Sequence, residues 1–272
     1  MSIRHKGEEL CFINRALAGK SLLEDGSNDA ELCGDWSFPL WGGGKTWIAP
    51  ESAWPGGVPH PDLDSGAYAV REAWINEHSM GVQLQSAVCR LSGLQIERRI
   101  ELLRDKMRWT VTQTVTNLGT LPRQCGAWDV LMLRRPAMVL VPLPSGLNDD
   151  HEAVHPIAGK GPLNDLYEAG VAEINQGMLR VFCTEAVEFK IGIFSEHGEM
   201  QVDFDTSGSP LIYRRRSNIS NGERYAHGHP IEVFNAPALP YFELESHSRL
   251  ATLQPGEFVT TIVDEELSTD PS

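Results

Sequence analysis

LQIERRIELLRDKMRWTVTQTVT, residues 94–116, alternates apolar and polar side chains twice with a polar break between. In the first half Leu94, Ile96, Ile100 and Leu102 share one face, opposite Gln95, Glu97, Arg99 and Glu101, and only Arg98 interrupts the apolar side. In the second half Met107, Trp109, Val111 and Val115 oppose Arg108, Thr110, Thr112, Thr114 and Thr116. A period of two is the signature of a strand with one face buried, and Arg104-Asp105-Lys106 supplies the turn. The stretch is therefore a β-hairpin. Gly81 to Val88 alternates more weakly ahead of it, which extends the prediction to a three-strand antiparallel meander from about Val82 to Thr116.

Outward from this meander, strand-like runs recur at 127–133, 187–195, 230–235, 241–247 and 258–264, each bounded by Gly, Pro or Asn. Helical periodicity is scarce. Many short strands with few helices must bury their apolar faces against one another, so the expected architecture is all-β, one large antiparallel sandwich spanning 1–272 as a single domain. No repeat, low-complexity tract or compositional break marks a linker. Two segments read as irregular. Trp36 to Ser65 holds Gly42-Gly43-Gly44, Gly56-Gly57 and five prolines, a composition that argues against a regular ladder, together with Trp36, Trp41, Trp47 and Trp54. Pro142 to Pro162 is the other.

At 272 residues the chain can bury roughly 70–75% of its unfolded surface, enough to be stable without metal or disulfide staples. The 23 Lys and Arg against 37 Asp and Glu give a net charge of −14, and no basic cluster exceeds Arg214-Arg215-Arg216. This excludes a broad nucleic-acid-binding face. Cys11, Cys33, Cys89, Cys125 and Cys183 are odd in number, scattered and without a C-x-x-C pair, as expected for reduced core thiols. No run of about 18 apolar residues occurs, and MSIRHKGEEL lacks the apolar core of a secretory signal. The expected location is the cytoplasm, with no membrane partner.

Three places offer chemistry. In Tyr241 to His247, YFELESH, a strand would put Tyr241, Glu243, Glu245 and His247 on one face and Phe242 and Leu244 in the core. Two carboxylates about 7 Å apart can differ in burial and so in pKa, as acid and base partners must; the ordinary alternative is the solvated face of an edge strand. In Tyr225-Ala226-His227-Gly228-His229-Pro230 two histidines could supply an acid or a pair of metal ligands. His227 and His229 are two residues apart, not in the H-x-x-x-H or H-E-x-x-H spacing of paired zinc ligands, so a turn with exposed histidines is the expectation and no metal is assigned. Lys190 lies opposite Phe189 and Ile191, where solvation is the common outcome. The tryptophans of 36–65 either stack on a sugar ring or pack the end of the sandwich. Gly42 to Thr46, GGGKT, lacks the spacing of a phosphate-binding loop.

Taken together, several segments resemble the galactose mutarotase-like superfamily, most closely an uncharacterised bacterial family grouped with it. They are Gly42 to Glu51 (GGGKTWIAPE), Ile96 to Ile100 with Val115 to Asn117, Trp128, Phe189 to Gly192, Tyr225 to Phe234, and Phe242 to Glu245 with Leu253 to Glu257, in order over most of the chain. The resemblance implies a β-supersandwich whose concave face binds a small-molecule carbohydrate, and aldose 1-epimerase-like acid and base chemistry at the anomeric carbon. A late Leu-Glu step falls on Leu244-Glu245 and selects Glu245 as base, with Glu243 as its neighbour; His227 or His229 would be the acid. Trp47, Glu51 and Lys190, with Lys45, Trp128 and Tyr225, would hold the substrate, and no cofactor is implied. The start of the chain matches the second or third strand of the fold, as in a shortened member. A carbohydrate-binding protein without catalysis is the alternative reading.

Overall fold

A computed structural model describes residues 1–18, 38–147, 150–157, 163–204, 210–219 and 222–269. Two antiparallel sheets carry the fold. The larger has ten strands, in the order Ala172–Asn175, Met178–Cys183, Ala137–Pro142, Glu199–Phe204, Leu211–Ser217, Phe258–Ser268, Arg108–Asn117, Leu94–Leu103, Ser79–Ser86 and Tyr68–Ile75. The meander predicted from Val82 to Thr116 forms its last part, extended by one further strand. Ile96 pairs with Val115 and Ile100 with Val111, so the apolar faces read from the sequence coincide across the ladder.

The smaller sheet runs Val154–Pro156, Phe189–Ile193, Ile231–Asn235, Phe242–His247, Arg123–Leu133 and Gly43–Ala49, with Ala251–Leu253 also pairing with the start of Arg123–Leu133. One face of this sheet turns Phe189, Ile191, Val233, Phe242 and Leu244 into the main core against Val139, Val181 and Val202 of the larger sheet. That burial is what drives the two sheets together. Cys11, Cys89, Cys125 and Cys183 are free and buried, while Cys33 and Trp36 lie outside the described residues.

The expectation that 36–65 excludes a ladder is corrected here: Gly43–Ala49 is a seven-residue strand, in register from Gly43 opposite Met132 to Ala49 opposite Gly126. The glycines that read as a loop serve a close approach. Gly42 and Gly43 have φ of +82° and +69°, and a Cβ on Gly42 would lie 2.2 Å from the Phe12 carbonyl oxygen. Without side chains they let the Phe12 carbonyl accept from Gly43 N at 2.7 Å. None of the five prolines falls within the strand: Pro39 precedes it and Pro50 follows it. The Pro142 to Pro162 region likewise contains a short strand, Val154–Pro156.

A polar chain crosses the core between the sheets. Thr46 donates to Gln113, Gln113 donates to Asp129, and Arg215 is paired with Asp129. Arg215 also donates to the Leu244 carbonyl at 3.3 Å, and Trp109 donates to Glu265 beside it. Burial pushes the Glu265 carboxyl up to about 7, with Arg215 opposing and Asp129 reinforcing the shift.

Candidate functional site

The opposite face of the smaller sheet carries the polar residues. Strand register sets Glu232 directly opposite Glu245, and Glu245 opposite Val130, which in turn faces Lys45. One step along, His247 faces Trp128 and Trp128 faces Trp47; on the other side Lys190 faces Phe234, which faces Glu243. Two carboxylates opposed across neighbouring strands repel, so the pair requires a cation. Lys190 supplies it diagonally: its Nζ lies 3.0 Å from Glu232 Oε2 and 3.0 Å from Glu245 Oε2, and 4.8 Å from the centre of the Trp128 ring. Trp128 Nε1 donates to Glu245 Oε2 at 2.8 Å, and Glu245 Oε1 has no hydrogen-bond partner among the described residues.

Imidazoles close the other side of Glu232. His227 Nδ1 lies 3.0 Å and His247 Nε2 3.3 Å from the same oxygen, Glu232 Oε1. The Trp128 ring organises them, stacking on His247 at 5.5 Å and meeting His227 edge to face at 4.8 Å. Trp54 stacks on Trp128 at 5.6 Å and Trp47 meets both edge to face.

The electrostatics separate the carboxylates. Burial acts to raise the Glu232 pKa, yet His247, Lys190 and the His227 hydrogen bond outweigh it and hold the group well below the usual range. Burial raises Glu245 well above that range; Lys190 opposes, and Glu232 and Glu243 add to the rise. Glu243 is pushed up to about 7, chiefly by burial. The Lys190 ammonium is raised because Glu245, Glu232 and Glu243 together overcome its burial, and burial lowers His247. A carboxylate kept ionised beside one that holds its proton is an arrangement suited to proton transfer.

Several expectations need correction. Phe242–His247 is an interior strand with every residue buried, because Ile231–Asn235 and Arg123–Leu133 pair with its two edges. Lys190 is a buried ion-pair partner and not a solvated lysine; its side chain is 11% exposed. His229 is not beside Glu245: it packs against Phe194 at 4.9 Å and His155 at 5.2 Å, over Gly192. Lys45 is tied to Asp64 at 2.8 Å, Glu51 is exposed on a turn after the first site strand, and Tyr225 is partly exposed in the loop that carries His227. Trp47 and Trp54 are 7% and 8% exposed, so they form a packed aromatic cluster over the sheet and not an open stacking platform.

Two residues that hold the cluster together escaped the site reading. Glu232 sits in IEVFN, where Ile231 and Val233 alternate with it, and that alternation five residues after His227 was the available signal. His247 was placed on the right face but given no role. His227, Glu232 and His247 present ligand atoms within 4.8 Å of one another, a set that suits a divalent transition metal. The Lys190 ammonium on the same Glu232 carboxylate competes with such an ion.

No protein-family model matches the sequence, and no curated protein matches it in sequence. Solved structures do match. YeaD from Salmonella typhimurium, a candidate mutarotase, superposes with a TM-score of 0.60 at 8% identity over 99% of this chain and 84% of that one. The Slr1438 protein from Synechocystis sp. PCC 6803 gives 0.55 at 13% identity, over 97% and 86% of the two chains. A galactose mutarotase-like protein from Lactobacillus casei ATCC 334 gives 0.50 at 12%, over 98% and 99%. The fold is thus the galactose mutarotase-like β-supersandwich. Among the described residues no helix is long and apolar enough to cross a membrane.

Proposed function

We propose that this protein is carbohydrate-active and interconverts the anomers of a free sugar, with Glu245 as base and His227 as acid. The observation that carries the reading is the Glu245 carboxyl group, held through Oε2 by Lys190 and Trp128 while Oε1 has no hydrogen-bond partner among the described residues, close to an imidazole fixed on Glu232. Glu245 would take the proton of the anomeric hydroxyl. The electron pair left on that oxygen forms the carbonyl, the bond from C1 to the ring oxygen breaks, and the ring oxygen takes a proton from His227. Rotation about C1–C2 and reversal of these steps give the other anomer. His227 is preferred to His229 because its side chain joins the Glu232 cluster and keeps 13% exposure, whereas His229 packs elsewhere.

Saturation-transfer NMR on a panel of aldoses should show accelerated anomer exchange, lost in Glu245→Gln. An unchanged rate in that variant removes Glu245 from the reaction. Because the base must be deprotonated and burial raises its pKa, the rate should climb with pH through a range above the ordinary carboxylate one. One observation favours a second reading, sugar binding without chemistry: the Glu232 and Glu245 side chains have no exposed surface. That reading predicts saccharide binding with no acceleration, undiminished in Glu245→Gln.

A further inference from the structure

A separate cavity of about 350 Å³ opens beside the rim of the smaller sheet, lined in part by Trp41, Lys45, Leu63, Tyr68, Leu84 and Arg98. Its volume is that of a small-molecule site. Arg98 is the residue that broke the apolar face of the hairpin in the sequence. It projects from Leu94–Leu103, between Leu84 and Gln113 in register, and its Nη1 donates to the Gly44 carbonyl at 3.0 Å. That single bond fixes the guanidinium and leaves its other edge unused. Nε and Nη2 are both buried and, among the described residues, without a hydrogen-bond partner.

Those two nitrogens form the edge that takes a carboxylate through two parallel hydrogen bonds. Leaving a charged donor pair dry and unsatisfied is costly, and such groups call for a partner. The neighbouring acid cannot serve. Asp64 Oδ1 accepts from Lys45 Nζ at 2.8 Å and from Trp47 Nε1 at 2.9 Å, and Oδ2 accepts from Ser65 Oγ at 3.1 Å. Lys45 and Asp64 neutralise each other, and among the described residues no carboxylate pairs with the Arg98 guanidinium, which lines the cavity. Leu63, Leu84, Trp41 and Tyr68 add apolar and aromatic surface around it; the Tyr68 hydroxyl is already committed to the Leu63 carbonyl at 2.9 Å.

We infer that this cavity binds a small molecule carrying a carboxylate on a ring-sized body, with the Nε and Nη2 edge of Arg98 as its anchor. The site is distinct from the Glu245 cluster, and the inference does not depend on anomer exchange. The test is an NMR titration of ¹⁵N-labelled protein, following the Arg98 Nε–H resonance assigned through bonds. The probes are glucuronate, benzoate and inorganic phosphate, with glucose and benzamide as uncharged controls. Expected is a saturable shift with a carboxylate probe, absent with the controls, and affinity at least about tenfold weaker in Arg98→Lys, which keeps the charge but loses the fork. Whichever of glucuronate and benzoate binds tighter identifies the body as a pyranose or an arene. No saturable shift with either carboxylate, phosphate binding tighter than both, or undiminished binding in Arg98→Lys overturns the inference. Should the variant not fold, the wild-type Nε–H response decides alone.

Discussion

Replacing Lys190 by Met tests the electrostatic frame of the site directly. The side chain is 11% exposed and its ammonium lies 3.0 Å from each of two carboxylates that have no exposed surface. Methionine keeps most of the volume, so the change removes charge more than packing. Breaking a buried ion pair from one side costs about 3–5 kcal/mol, because the remaining charge is stranded. For a chain of this size that corresponds to a fall in Tm of roughly 10 °C. The pH dependence sharpens the test. The folded-state pKa of Lys190 is raised above its ordinary value of 10.5, so its contribution is present throughout the pH range below that value. The loss should therefore be full at pH 8. Near pH 4 the carboxylates left behind can take up protons without a large cost, and the loss should shrink. Urea denaturation of both proteins at the two pH values measures this. A loss below about 1 kcal/mol at pH 8, or an equal loss at both pH values, would mean that Lys190 does not neutralise Glu232 and Glu245.

Glu265→Gln probes the inter-sheet core in the opposite sense. The Glu265 carboxyl is raised from 4.5 to about 7, so its contribution to stability is complete below pH 4.5 and is lost as pH rises through 7. The variant should match wild type near pH 4.5 and exceed it by about 3 kcal/mol at pH 8, as read by chemical denaturation; a wild type that gains on the variant with rising pH contradicts the assignment. Gly42→Ala should cost about 2–3 kcal/mol, since the residue has φ of +82° and its new Cβ would meet the Phe12 carbonyl oxygen at 2.2 Å. A change under about 0.5 kcal/mol in the same assay would show that the chain before the first site strand does not lie across these glycines.

The hairpin within Leu94–Thr116 and the face of Tyr241–His247 were legible because a period of two survives in sequence wherever one face is apolar. The period does not say what covers the polar face. Glu243, Glu245 and His247 read equally well as solvated or buried, and only the partners on neighbouring strands, Glu232 and Trp128, decide it. Lys190 was ambiguous for the same reason: its two carboxylates arrive from strands 42 and more residues later in the chain. Gly43–Ala49 was misread because glycines that admit a crossing backbone look locally like glycines of a loop. Asp129, Arg215 and Gln113 lie on the inward side of strands whose other inward residues are mostly apolar, and a single polar or charged residue gives no hint of a partner on the facing sheet.

The Asp129 to Arg215 pair has a consequence for how the strands find their alignment. Asp129 stands between Trp128 and Val130, so sliding Arg123–Leu133 by one position would turn the acid outward and push the indole between the layers. Arg215 would then be sealed in the interior without its paired carboxylate, a far worse state than a merely misfitted apolar pair. The core thus penalises a one-residue slip heavily, and the proofreading falls on the very strand that brings Trp128 to Glu245.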